Sequence, residues 1–408
     1  MSMQILPDRG VTAPQGFRAA ASACGLKPSG APDLALVVSQ HECTGAGVFT
    51  RNQLPAAPVI LDRETLQQNS DRLRGVVVNS GVANACTGSA GVEAAREMQR
   101  LAAASINCNP NQVLVLSTGV IGMQLDLEKL ELGVGHSAAG LSSENGLAAA
   151  EAIMTTDTRP KQLAMSLELP GGTVTIGGMA KGSGMIHPDM ATMLAVLTTD
   201  AKVSGPVLQR LLGPAVERSF NRISVDGDTS TNDSALLLAN GASGVEVEDE
   251  IAVARLEQAL DIVCQTLAQE IVRDGEGASK FVTLSVVGAA DEATALKVAK
   301  TVATSPLVKT ALAGEDPNWG RVLAAAGRAG IELDPSRLAL WISSASDGEL
   351  QLVQAGEAAS WNPASAAMIL ADPEITMRLD LGLGEATATV WTCDLTHDYI
   401  SINADYRT

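Results

Sequence analysis

Apolar and polar positions along this chain fall into two alternating kinds of run. Short apolar runs closed by glycine or polar residues read as strands. They are Gly75–Asn79, Gln112–Leu116, Ala164–Leu169, Thr173–Ile176, Met193–Thr198 and Phe281–Val287. Between them lie runs with helical spacing: Ala90–Ala104, the Ala-rich Leu147–Met154, Pro206–Arg218 and Glu248–Val272. In the last of these, Ile251, Leu256, Leu260, Cys264 and Leu267 recur near helical spacing and would share one face. The punctuation is polar or glycine-rich. Ser117-Thr118-Gly119 reads as a loop after the second strand, a Gly-rich arm covers Gly177–Gly184, and Asp274-Gly275-Glu276-Gly277 stops the longest helix. The acidic-polar stretch Asp226–Asp233 reads as capping and turn formation. Strand-then-helix alternation predicts a layered α/β fold rather than an all-α bundle. A chain of 408 residues suits two lobes or one large layered unit.

Composition narrows the function. Aromatic residues make up 2% of the chain, so the core must be built from Ala, Val, Leu and Ile. That leaves no stacking platform for single-stranded nucleic acid. The formal charge of −18 provides no basic footprint for a phosphate backbone. The six cysteines form no C-x-x-C pair, and the polar N-terminus does not read as a targeting segment. No apolar run approaches the roughly 20 residues needed to cross a bilayer. The expectation is a soluble cytoplasmic protein without disulfides. The four histidines lack metal-ligand spacing, and Asp226–Asp233 lacks the closing Glu of a calcium loop, so no metal is expected.

Candidate chemistry centres on the run Lys181 to Leu194. A flexible Gly182-Ser183-Gly184 arm leads to the small Ala191, and Thr192 follows at the mouth of an apolar strand. This layout suits a chain that cuts itself before Thr192 and then uses the new N-terminal threonine as nucleophile, with its own α-amine as base. The alternative is an ordinary Thr at a strand start. The Thr118 hydroxyl and Gly119 amide can stabilise an oxyanion, or simply end a strand. Lys181 can bind a substrate carboxylate, or be a solvated loop charge. Glu276, held between two glycines, can meet a substrate ammonium, or belong to a helix-terminating turn.

Several segments together resemble the ornithine acetyltransferase family, the bifunctional glutamate N-acetyltransferases of arginine biosynthesis. They include Val11–Phe17, Asn84–Gly88, Ser117–Gly122, Met154–Thr158, Lys181–Leu194, Val225–Asp233, Asp274–Gly277, Asp316–Arg321 and Ile402–Thr408. The match runs nearly end to end, and Ala191-Thr192 is its most specific part. The resemblance implies an αββα-type layered fold and self-cleavage between Ala191 and Thr192. The products would be an α chain, residues 1–191, and a β chain, residues 192–408, held together as an α2β2 assembly. Thr192 would be the nucleophile, and Thr118 with Gly119 the oxyanion hole. Substrate contacts would fall on Thr155, Lys181, Thr192, Glu276, Asn403 and Thr408.

The implied reaction is a ping-pong transfer of acetyl from N-acetyl-ornithine to glutamate through acetyl-Thr192. No bound cofactor is implied; acetyl-CoA is a co-substrate in those members of the family that also acetylate glutamate from it. A self-processing aminopeptidase or amidase, passing the acyl group to water, is the competing reading. Two positions depart from the family pattern. Asp189 stands where Asn is more common, and Val82 also replaces an Asn. The expectation is that neither touches the nucleophile, lysine or oxyanion positions.

Overall fold

The computed structural model of the chain describes residues 2–187 and 193–405. Asp189, Ala191, Thr192 and Thr408 lie outside the described residues. The strands are β1 Met3–Leu6, β2 Phe17–Ser22, β3 Leu34–Phe49, β4 Leu73–Val82, β5 Val113–Val120, β6 Lys161–Leu169, β7 Gly172–Lys181, β8 Leu194–Thr199, β9 Ile223–Ser224, β10 Ser234–Ala239, β11 Phe281–Ala289, β12 Ala339–Ser344, β13 Gly348–Gln354, β14 Glu357–Ala358, β15 Glu374–Asp380 and β16 Ala386–Cys393. The helices are α1 Ala57–Asn69, α2 Gly88–Ser105, α3 Leu127–Ala139, α4 Gly146–Ala152, α5 Gly205–Glu217, α6 Glu250–Arg273, α7 Glu292–Ala303, α8 Pro306–Ala313, α9 Trp319–Gly327, α10 Pro363–Ala371 and α11 His397–Asp405. None of the described helices is long and apolar enough to cross a membrane. The described residues fall into two compact units. One runs to Asn221 and includes Asp228–Ile271; the other holds Arg222–Gly227 and the residues from Val272 onward.

The first unit carries the αββα layering. Its strands follow the order β1-β6-β7-β8-β10-β3-β4-β5, with β2 also on β3. Strand β3 serves two sheets: Leu34–Ser39 pairs with β2, and Thr44–Phe49 pairs with β10. Side-chain parity sorts the layers. Ala35, Val37, Val76, Val78, Leu114 and Leu116 share a core with Met179, Leu194, Val196, Leu236 and Leu238, which is sheet packed on sheet. Leu34, Leu36, Val77, Val113 and Val115, the alternate positions, pack against Leu61 of α1, Met98 of α2 and Leu130 of α3. Beyond β7 and β10, Ile176 and Leu237 lie beside Leu211 of α5 and Leu256 and Leu260 of α6. Strand β8 is therefore covered on both faces and paired on both edges, and every one of its residues is buried. That environment explains its unbroken apolar run.

The second unit is a seven-stranded sheet of order β14-β13-β12-β15-β11-β16-β9. Val282, Leu284, Val286, Leu340, Ile342, Ile375, Met377 and Val390 of the sheet join Val298 of α7, Leu312 of α8, Val322 of α9 and Ile369 of α10 in one core. The C-terminal helix α11 packs on the turn after α6. A Cβ on Gly277 would lie 2.5 Å from the Tyr399 amide, so the close approach requires glycine there.

Two sequence expectations change. The expected loop Ser117–Gly119 is strand, because β5 keeps pairing with β4 through Ser80↔Thr118 and Gly81↔Gly119. The first half of the Gly-rich arm, Gly177–Lys181, is also strand, paired with β6 and β8. Its glycines serve close packing: a Cβ on Gly177 would meet the Gly10 carbonyl oxygen at 2.1 Å.

Candidate active site

Three neighbouring strands set out the site in the first unit. Lys181, the last residue of β7, stands opposite Leu194, the first of β8. Ser234, the first of β10, pairs with Leu194 on its other side. The Ala191-Thr192 pair precedes Leu194 closely in the sequence.

Lys181 is not a solvated loop charge. Its side chain is 4% exposed. Its Nζ donates to Thr155 Oγ1 at 2.8 Å and lies 3.9 Å from Asp157 Oδ2. Asp157, wholly buried, also accepts from Lys161 Nζ at 2.7 Å, the Gly182 amide at 2.7 Å and the Thr155 amide at 3.0 Å. Burial alone would push its carboxyl up. The ammonium charges of Lys181 and Lys161, with hydrogen bonds from Lys161 and Gly182, outweigh that and hold it well below the usual carboxylate range. Lys181 and Lys161 both face the Asp157 carboxylate, and an ammonium at this strand end is a group that attracts a substrate carboxylate. Within the run Thr155–Thr158, Thr155 is the residue on the lysine, while Thr156 Oγ1 sits 2.6 Å from Ser183 Oγ.

Thr118 and Gly119 lie at the end of β5 beside an irregularity. The β4–β5 register shifts at Gly81/Val82, which interrupts the even ladder next to Gly119. Gly119 has φ +131°, and a Cβ there would meet the Gly81 carbonyl carbon at 2.2 Å. Val82 pairs with Thr118, so this departure from the family pattern is next to the oxyanion candidate after all. Its side chain points into the helix-covered core instead.

Asn232 and Asp233 are the residues that sequence reasoning misses. Hydropathy places both in a turn, yet both are buried. Asn232 Nδ2 donates to the Ser117 carbonyl at 2.8 Å and to the Ala83 carbonyl at 2.6 Å, which fixes the end of β5 just before Thr118. Asp233 Oδ1 accepts the Met193 amide at 3.0 Å, at the mouth of β8. Its Oδ2 is buried with no hydrogen-bond partner among the described residues. Burial pushes the Asp233 carboxyl well up, opposed by the Met193 hydrogen bond, the nearby Thr50 hydroxyl and, through space, Lys181. The signal available in the sequence is the polar run Ser230–Ser234 running straight into the apolar Ala235–Ala239.

In the second unit, Glu276 is buried in the turn after α6, and Asn403 Nδ2 of α11 donates to its Oε2 at 2.7 Å. Thr396 Oγ1 donates to the Gly277 carbonyl at 2.7 Å and pins the same turn. The two substrate-contact candidates of this unit are therefore direct partners. Among the described residues, no group of His, Cys, Asp or Glu is arranged to hold a metal ion, and all six cysteines are free.

Fold and site together define a layered α/β protein with a buried lysine–carboxylate cluster at its strand ends. The sequence profile of the ArgJ family matches residues 18–408. The chain is 50% identical over 403 residues to the arginine biosynthesis bifunctional protein ArgJ of Symbiobacterium thermophilum, covering 98% of each chain. It is 47% identical over 416 residues to the protein of the same name from Thermosynechococcus vestitus, again covering 98% of each. Among solved structures it is similar to ornithine acetyltransferase of Mycobacterium tuberculosis in complex with ornithine. That match has 43% identity and a TM-score of 0.43, over 46% of this chain and 98% of that one. The chain belongs to the ArgJ family.

Proposed function

We propose that this chain is a glutamate N-acetyltransferase of arginine biosynthesis that cuts itself between Ala191 and Thr192. The freed Thr192 amine takes the proton from the Thr192 hydroxyl, and the oxygen attacks the acetyl carbonyl of N-acetyl-ornithine. Thr118 and Gly119 hold the tetrahedral oxyanion. Ornithine leaves, and glutamate takes the acetyl group from acetyl-Thr192. Both amino acids carry an α-carboxylate, which Lys181 binds with Thr155 beside it. Glu276 and Asn403 supply further substrate contacts, as does Thr408. Relatives are named bifunctional, which supports acetyl-CoA as a second acetyl donor to glutamate. No bound cofactor or metal is part of this mechanism.

The observation that carries this reading is the burial of Lys181, with Asp157, Lys161 and Thr155, at the strand end facing Leu194. Burying an ammonium is costly, and a fold that does so beside a second lysine favours an anionic occupant. The test uses the purified enzyme with N-acetyl-ornithine, with and without glutamate. Glutamate-dependent acetylglutamate is the expected product; ornithine release that ignores glutamate would instead indicate a hydrolase. Thr192→Ala is expected to run as one uncut band on a denaturing gel and to transfer no acetyl. Transfer by that variant at the wild-type rate would reject the nucleophile. Glutamate acetylation from acetyl-CoA, read by thiol release, tests the second donor.

A further inference from the structure

Two buried carboxamides bracket the place where the β4–β5 ladder loses its register. Asn232 and Asn79 are both buried. The Asn232 Nδ2 donates to the Ser117 carbonyl at 2.8 Å and to the Ala83 carbonyl at 2.6 Å. Both N–H groups of this amide are therefore spent on main-chain carbonyls, and a carboxylate of the same shape would offer neither donor. Its Oδ1 accepts from Thr231 Oγ1 at 2.6 Å. Asn79, on β4, accepts from Ser117 Oγ at 2.6 Å and donates to the Val82 carbonyl at 2.8 Å. The register shift at Gly81/Val82 lies between Asn79 and Ala83. Ser117 is thus held at its hydroxyl by one carboxamide and at its carbonyl by the other, and Thr118 follows it directly.

We propose that Asn232 is a positioning residue for the oxyanion pair, fixing the end of β5 that carries the Thr118 hydroxyl and the Gly119 amide. The inference rests on the proposed role of Thr118 and Gly119. A peptide group is planar, so holding the Ser117 carbonyl also sets the Thr118 amide joined to it. Oxyanion donors work by being aimed in advance at the developing charge. A misplacement of about 1 Å at such a site costs about 10²-fold in rate. An even ladder would normally supply that rigidity, but here it is interrupted, and Gly119 sits at φ +131° with no side chain to anchor it. The Asn232 amide reaches in from the residues leading into β10 and ties Ser117 to Ala83 across the interruption. The Ala83 amide in turn donates to the Val120 carbonyl at 3.0 Å, which closes the clamp beyond Gly119. The lysine cluster is built on other residues, Thr155, Asp157 and Lys161. Loosening the clamp therefore acts on the donors for the oxyanion and leaves the cation for the substrate carboxylate in place.

That separation provides the test. Asn232→Ala is expected to lower kcat for acetyl transfer from N-acetyl-ornithine by about 10²-fold, with rates taken per cut chain, while KM stays at the wild-type value. A fall that appears in KM with kcat intact overturns the proposal, as does a wild-type kcat or a folded variant that stays uncut. Combination with Thr118→Ala separates positioning from a merely structural loss. If Asn232 acts through the oxyanion pair, the double variant is expected to be about as slow as the slower single one, because residues that work as a unit are not additive. Losses that multiply in full overturn the proposal. Should Asn232→Ala fail to fold, Ser117→Ala removes only the hydroxyl held by Asn79 and carries the same test: kcat is expected to fall with KM unchanged, and wild-type kcat overturns the clamp. If Thr118→Ala itself turns over at the wild-type rate, it is the oxyanion reading that fails. If Thr118→Ala is slow while Asn232→Ala behaves as wild type, only the role of Asn232 fails.

Discussion

At the scale of single residues, the decisive quantity is burial. Asp157 and Asp233 are both buried carboxylates, yet their environments push them in opposite directions. Asp157 has two ammonium groups and is held low; Asp233 is pushed up by burial, which its hydrogen bonding does not offset. Their contributions to stability therefore have opposite signs with pH. The part from Asp157 is fully present above the unfolded carboxylate pKa, about 3.9, and is lost as pH falls toward its folded value. The part from Asp233 is fully present below that same value and is lost as pH rises through its raised folded value. Asp157→Asn leaves Lys161 and Lys181 buried against a neutral partner. It is expected to cost about 3–5 kcal/mol in urea unfolding and to flatten the acid limb of stability. Thr118→Ala is expected to slow turnover by about 10²–10³-fold with cleavage products still visible, if the hydroxyl serves the oxyanion. Stopped-time assays on the cut enzyme check it. The residue types Thr118, Lys181 and Glu276 are legible in the sequence as candidates. Their burial is not, because a lysine in a glycine-rich run reads the same whether it faces water or a carboxylate.

At the scale of elements, the apolar runs locate the strands well where one face or both are buried. Gly75–Asn79 lies inside β4, and Met193–Thr198 matches β8 within a residue at each end. The helix expected over Glu248–Val272 is α6. The misses are places where the pattern lacks apolar residues but pairing continues. Ser117, Thr118 and Gly119 remain strand because β4 offers partners, and Gly177–Lys181 because β6 and β8 do. Hydrogen bonds to the neighbouring strands decide these cases, and hydropathy carries no trace of them. Gly119 tests the argument. The Gly81 carbonyl carbon lies 2.2 Å from where a Cβ on residue 119 would sit, so Gly119→Ala is expected to push β5 off β4 and to abolish turnover. Amide hydrogen exchange should rise along Val113–Val120 and leave β11 and β15 of the second unit unchanged.

At the scale of the whole molecule, the proposed cut does not coincide with the division into compact units. The first unit contains residues from both sides of Ala191-Thr192. Strands β8 and β10, which follow the cut, lie between β7 and β3, which precede it. Separating the two products would break both of those strand pairings and open the core between the sheets. The cut wild-type enzyme is thus expected to elute from gel filtration as one species containing both chains, and to part only in denaturant. Independent elution of the fragments under native conditions would contradict this interleaving. What the sequence determined by itself was the class of fold, the family and the residue types of the site, because periodicity and ordered motifs are local and survive without coordinates. Only the tertiary structure decided that Lys181 is buried on Asp157, that Thr118 and Gly119 belong to a strand, and that Asn232 and Asp233 join two strand ends. Those are long-range contacts, and each depends on which distant segment the sheet places alongside.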